Sequence, residues 1–251
     1  MDPTEWNDQR SVLGKIDRIF GAFGADHPSL NLAQLARRTG LAKSTLHRTV
    51  GALVESGMLE REEGTLQLGI RLFELGQLVP RQRTLRDAAL PFMEDLFEAT
   101  HETVHLGVPD GVEILYVEKI MGHRAVRSPS RVAGRMPLFC TAIGKAILAF
   151  SPPELLERVI TAGLTPLTPY TIVSPQVLRE SVTEVARTGV AMDREEASLG
   201  LSCTAAPIFG MRNRLVGALS ISTASSRVAP ERLATAVKTT SLSLSRVLAG
   251  T

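Results

Sequence analysis

Apolar positions recur at helical spacing from the start of the interpretable chain. Val12, Ile16, Ile19, Phe20 and Phe23 predict one amphipathic helix, and Leu32, Leu35 and Ala36 at i, i+3, i+4 predict a second. Gly40 is placed to stop that second helix, with Leu41 following as an apolar plug. Leu46, Val50, Leu53 and Val54 then mark one face of a third helix, ahead of a stop at Gly57; its other face opens with Lys43, Ser44, Thr45, His47 and Arg48. From there the period shortens. Met58 to Arg61 and Thr65 to Leu68 read as two strands around a Glu62-Glu63-Gly64 turn, a short β-wing. A helix, a tight Gly turn, a helix and a wing make up the parts of a major-groove reader: one helix braces the backbone and the next enters the groove by its N-terminal end.

A second set of patterns begins near residue 80. Ile70 to Leu78 is helical in spacing, Pro80 interrupts it, and the basic run Arg81, Arg83, Arg86 follows. Leu85, Ala89, Phe92, Met93, Leu96 and Phe97 then predict a long helix bent at Pro91. Strands at Val104–Val108 and Val112–Ile120 meet at Asp110-Gly111, a strong hairpin signal. Helices are expected at Thr141–Phe150, Pro153–Ala162 and Pro175–Thr188, strands at Val190–Met192, Cys203–Phe209 and Leu215–Thr223, and a closing helix at Glu231–Leu248. Hairpin-linked strands with helices gathered between and after them argue for an α+β domain with an antiparallel sheet. The expected division is 1–80 for the DNA-reading domain with the start of its linker helix, and 81–251 for the second domain.

Charge alters this picture only locally. The chain carries 28 Lys+Arg against 26 Asp+Glu, and residues 1–80 hold nine basic and ten acidic side chains. Between His27 and Val54, however, there is no acid, while Arg37, Arg38, Lys43 and Arg48 are all present. Phosphate attraction depends on the field at the contacting face, so a small basic patch suffices. The candidate DNA-binding residues are Arg38, Lys43, Ser44, Thr45, His47, Arg48 and Arg61. The wing tip is acidic through Glu60, Glu62 and Glu63, which speaks against deep insertion. Met1 to Arg10 is polar and expected to fray, leaving Trp6 outside any core.

Several classes drop out. No run of 18 or more apolar residues and no signal segment is present, so a soluble cytoplasmic protein without a membrane role is expected. Cys140 and Cys203 lack zinc-ligand spacing and read as small buried hydrophobes. There is no GxGxxG after a strand, no P-loop, no HExxH and no GxSxG, so neither cofactor nor metal is implied. An enzyme using Cys203 with Glu195 or Glu196 would need a neighbouring base, and no histidine lies beyond His123. An architectural DNA binder would leave the large second domain unexplained. His101 and His105 are given no role.

The run from Gly134 to Lys145 (GRMPLFCTAIGK), the run from Gly189 to Glu196 (GVAMDREE) and the run from Gly200 to Ile208 (GLSCTAAPI) resemble the hallmark segments of the IclR family of bacterial transcription regulators. The N-terminal motif ending in Leu66-Gln-Leu-Gly69 is similar too, so the resemblance spans nearly the whole chain. It implies a winged helix-turn-helix joined by a linker helix to a GAF-like effector domain, with dimers pairing into tetramers on palindromic or near-palindromic double-stranded operators. Repression is the commoner role in that family. It further implies a pocket for a small organic acid or related metabolite, and carries the lining over by position to Ala142, Ile143, Gly144, Asp193, Cys203, Ser220 and Ser222. Ala142 and Ile143 begin a helix, where unpaired N–H groups favour an anion, and Gly144 is expected to let a ligand approach the backbone. Ser220 and Ser222 are two apart and share one strand face. Each also has a plainer reading: Cys203 as core, Asp193 as a turn cap, Ser222 as a backbone partner. Phe139 and Ile143 depart from the family's usual residues and predict a greasier wall, suited to an effector with an apolar or aromatic portion.

Overall fold

The computed structural model describes residues 11–24, 26–122, 128–227 and 229–250, the side chains of residues 81–83 excepted. Trp6 and the stretch from Met1 to Arg10 lie outside the described residues, as do the side chains of Arg81 and Arg83. The chain divides into two compact units, one ending at Pro80 and the other beginning at Arg81.

In the first unit, α1 (Val12–Gly21) starts where the Ser11 hydroxyl accepts from the Gly14 N–H at 2.9 Å. A short strand, β1 (Ser29–Asn31), runs directly into α2 (Leu32–Thr39). There Asn31 and Gln34 form a capping box, each side chain accepting from the other's backbone N–H at 2.8 Å, which satisfies two donors the helix cannot. Gly40 closes α2 in the left-handed region, φ 63°, its N–H bonded to the Ala36 carbonyl. This tight stop turns the chain into α3 (Lys43–Glu55). The wing strands β2 (Leu59–Glu62) and β3 (Thr65–Leu68) pair antiparallel, and β1 adds to β3 to give the order β1-β3-β2. Ile19, Leu35, Leu46, Val50, Leu53, Leu59 and Leu66 make the core. Val12, expected on the apolar face of α1, is instead 69% exposed, one residue past the Ser11 cap and short of the core. The unit closes with α4 (Ile70–Gln77), on which Ile70 and Phe73 stay exposed.

The second unit is a six-stranded antiparallel sheet with helices on both faces. Its strands are β4 (Thr103–Asp110), β5 (Glu113–Ile120), β6 (Arg135–Pro137), β7 (Ala191–Arg194), β8 (Leu201–Phe209) and β9 (Leu215–Ala224), in the order β6-β5-β4-β9-β8-β7. Alternation along each strand sends Val104, Leu106, Ala206, Ile208, Leu219 and Ile221 to one face. There they meet α5 (Pro80–Thr100) through Leu85, Ala89, Met93 and Leu96, and α9 (Ala234–Gly250) through Val237 and Leu244. The opposite face is covered by α6 (Ala142–Ala149), α7 (Pro153–Ala162) and α8 (Pro175–Thr188), with Ile143, Ile147, Val159, Leu178 and Val182 buried against it. Pro91 sits inside α5 without ending it. No described helix is long and apolar enough to cross a membrane.

Candidate functional site

The N-terminal unit presents α3 as its polar face. Leu46, Val50 and Leu53 hold the helix to the core, so Lys43, Ser44, His47 and Arg48 turn outward and are exposed, with Thr45 half-buried between them. Arg61 on β2 is exposed as well. Arg38 is exposed but also occupied: Nη1 donates to the Ala22 carbonyl at 3.4 Å, tethering α2 to the end of α1. Arg18, which sequence reasoning passed over, likewise donates to the Thr39 carbonyl and braces the turn ahead of α3. The acidic wing divides. Glu62 and Glu63 stay exposed near the turn, whereas Glu60 caps α4 by accepting from the Ile70 N–H at 2.9 Å. One of the three acids is thereby given a structural task.

The C-terminal unit carries a cavity of about 20 Å³ between the sheet and the start of α6. Register puts its polar wall in rows. Asp193 lies opposite Cys203, and Cys203 opposite Ser222, a line across β7, β8 and β9. His105 lies opposite Ser220 in the neighbouring row. Of the positions expected from sequence, Ala142, Ile143, Asp193, Cys203, Ser220 and Ser222 all line this cavity, joined by His105, Tyr116, Ser130, Met136, Thr141 and Leu201.

Gly144 does not line it. A Cβ there would stand 2.0 Å from the Leu138 carbonyl oxygen, so the glycine lets α6 pack onto the preceding backbone rather than admitting a ligand. Phe139 is also not part of the wall; it is buried in the core under α6, and the greasier lining comes from Ile143, Tyr116, Met136 and Leu201.

A hydrogen-bonded chain runs along the sheet side. Lys119 Nζ donates to the Ser130 carbonyl at 2.8 Å and to Ser130 Oγ at 3.2 Å. Ser130 Oγ lies 2.7 Å from His105 Nε2, His105 Nδ1 lies 3.4 Å from Ser222 Oγ, and Ser222 Oγ lies 3.0 Å from Cys203 Sγ. Burial, aided by the Lys119 charge, lowers the His105 pKa to about 3, so the ring is neutral and offers one donor and one acceptor. Sequence reasoning missed His105. A single histidine on an alternating strand carries no motif, and only the β4–β9 register reveals which row it joins.

The far end of the cavity is acidic. Asp193 is 1% exposed, and its Oδ1 accepts from the Glu196 N–H at 2.7 Å, so the residue both caps the turn and lines the cavity. Burial, then the nearby Glu196 carboxylate, raises its pKa to about 7. Glu196 itself is ion-paired with Lys145 from α6, both almost wholly buried, and its second carboxylate oxygen has no partner among the described residues. The same burial raises the Cys203 thiol well above its ordinary value, which removes the thiolate a nucleophile would need. Cys140 and Cys203 are both free. Among the described residues, no group of three or more His, Cys, Asp or Glu could hold a metal ion.

Comparison with known proteins agrees with both halves. Residues 12–63 match the IclR helix-turn-helix domain, and residues 77–246 match the bacterial transcriptional regulator IclR C-terminal domain. The chain is 33% identical over 246 residues to the HTH-type transcriptional regulator XynR of Escherichia coli, covering 94% of this chain and 98% of that one. It is 30% identical over 210 residues to the transcriptional repressor IclR of the same organism, covering 82% and 77%. Among solved structures, an IclR homolog from Microbacterium hydrocarbonoxydans complexed with 4-hydroxybenzoate superposes with a TM-score of 0.91 at 29% identity, over 96% of this chain and 100% of that one. A DNA-reading fold, a separate domain with a small polar-and-apolar cavity, and matches over both lead to one conclusion: the chain belongs to the IclR family of DNA-binding transcriptional regulators and is not an enzyme.

Proposed function

We propose that this regulator is a repressor whose operator affinity changes when a small organic acid with an aromatic or apolar portion occupies the cavity of the C-terminal domain. The observation that carries this reading is the composition of the cavity. Tyr116, Met136, Ile143 and Leu201 supply apolar walls, while Ser220, Ser222, Cys203, Asp193 and the N-terminal turn of α6 supply convergent polar atoms. The ligand named for the Microbacterium relative, 4-hydroxybenzoate, has both characters. The cavity of about 20 Å³ holds little more than one water, so a benzoate-sized molecule enters only as the walls part. That displacement is the differential interaction an effector needs if it is to favour one arrangement of the protein over another. The helical stretch between Ile70 and Leu96 is the transmitting element in this reading.

On the DNA side, Lys43 and Arg48 are the cations placed to reach guanine, Thr45 packs on a thymine methyl, and Ser44, His47, Arg38 and Arg61 serve neighbouring bases and phosphates. Two copies reading a palindromic or near-palindromic operator fit the exposed apolar side chains of the first unit, among them Val12, Leu13, Ile70 and Phe73, which a dimer would cover. The place of action is the cytoplasm, where the operator is.

Calorimetric titration with benzoate, 4-hydroxybenzoate, glyoxylate and pyruvate, followed by operator titration with and without the binder, tests the proposal. Aromatic acids are expected to bind and to weaken operator binding. Comparable binding of glyoxylate or pyruvate would refute the aromatic assignment, and binding without any change in operator affinity would refute the regulatory one. A ligand at about 100 times its dissociation constant adds roughly 2.7 kcal/mol to stability, so a thermal scan reports the same event.

A further inference from the structure

We infer that Asp193 meets the effector as a carboxylic acid, its hydroxyl hydrogen donated to the effector's carboxylate, so that each effector anion is bound together with one proton. This rests on the organic-acid reading of the effector and adds a specificity-determining role for one residue of its site.

The argument starts from the charges that face Asp193. On its own turn stands Glu196; from α6 comes Lys145; from the segment ahead of α6 comes Cys140; from β8 comes Cys203; from β5 comes Tyr116. Burial raises the pKa of both thiols and of the Tyr116 phenol, so those three are neutral. Lys145 is paired with Glu196. Lys119, the other cation near the cavity among the described residues, donates to Ser130 at the opposite end. No Lys or Arg is among the described residues lining the cavity.

Two carboxylates and one ammonium therefore share this end. With Asp193 ionised the group carries one net negative charge, and an entering carboxylate would add a second beside a side chain that is 1% exposed. A proton removes the conflict, and it has two possible seats. The carboxyl of a simple organic acid has a pKa near that of a free side-chain carboxyl, about 4.3. Asp193 already holds its proton up to about pH 7 before an effector enters, so the anion arrives at a carboxyl that can donate to it.

Geometry agrees. Asp193 lines the cavity with Oδ1 accepting from the Glu196 N–H, and the Ala197 N–H and the Cys203 thiol also act on this carboxyl, so the group that faces an effector is held in place by its own turn and by β8. An O–H donor aimed at a carboxylate makes one of the stronger hydrogen bonds available to a protein.

The test uses the full-length protein with benzoate, which has a single ionisable group, and with 4-hydroxybenzoate. Calorimetry at about pH 8 in two buffers of different ionisation enthalpy is expected to show uptake of about one proton per benzoate bound. The dissociation constant is expected to rise about tenfold for each pH unit above about pH 7. Asp193→Asn keeps an acceptor for Glu196 and a permanent donor for the ligand, so it is expected to bind benzoate with neither proton uptake nor pH dependence. Independently of any ligand, the wild-type protein near pH 6 is expected to show the infrared C=O band of a protonated carboxyl that Asp193→Asn removes. Binding by the wild type without proton uptake, or absence of that band, overturns the inference. If the band is present but no acid binds at any pH, the organic-acid reading itself fails and takes the inference with it.

Discussion

Lys145→Met removes the one cation paired with Glu196 in the interior of the C-terminal unit. Lys145 is 2% exposed and Glu196 6%, and one Glu196 oxygen already lacks a partner among the described residues. The pair lies where water cannot replace the lost ammonium. Desolvating two charges costs nearly what their attraction returns, so the intact pair adds little net stability. Breaking it differs, because it leaves a carboxylate buried and uncompensated, which costs about 3–5 kcal/mol. Set against the roughly 5–15 kcal/mol that holds a typical domain together, such a loss is a large share. Removing both charges in Lys145→Met/Glu196→Leu restores an apolar interior and is expected to recover most of it. The assay is urea unfolding of the three proteins at neutral pH, followed by far-UV circular dichroism, with the coupling energy taken from the double-mutant cycle. A single variant that loses less than about 1 kcal/mol, or a double variant no more stable than the single, refutes the reasoning.

Arg48→Ala is expected to cost about 1–3 kcal/mol in operator binding while leaving effector affinity unchanged, as read by titrating labelled operator at fixed salt. Gly144→Ala drives a methyl to 2.0 Å from the Leu138 oxygen and is expected to destabilise the C-terminal unit by about 3 kcal/mol, read as a lower unfolding midpoint; an unchanged midpoint would contradict the close-packing role. Asn31→Ala breaks the capping box of α2 and is expected to cost about 1 kcal/mol in thermal unfolding, and Asn31→Ser to cost far less.

Where hydrophobic period and local punctuation coincide, the structure could be read in advance. Pro153–Ala162 and Pro175–Thr188 are helices over the expected residues, because each begins with proline at a permitted position and ends near a glycine. The Asp110-Gly111 turn likewise announced β4 and β5. What escaped was short or distant. β1 and β6 span three residues each, too few to show a period. Glu60 looked like a wing charge because its partner, the Ile70 N–H, becomes its neighbour only after the hairpin forms. In the candidate site, six positions carried over by resemblance fall together, since strand alternation and a helix start already define their directions. Gly144 was misread because a glycine's need for space does not say what fills it. His105 and Tyr116 were not singled out, as only the pairing of strands far apart in sequence brings them to one wall.

If an effector binds as proposed, the narrowness of the cavity sets the threshold of the response. If the wide form is a minor fraction of the population, the apparent dissociation constant is the intrinsic one divided by that fraction. A wide form present at about one part in a hundred would thus raise the half-response concentration about a hundredfold. A cell using such a regulator would ignore traces of its metabolite and answer only to accumulation. Substitutions that shrink Ile143 would lower that threshold without touching a polar contact.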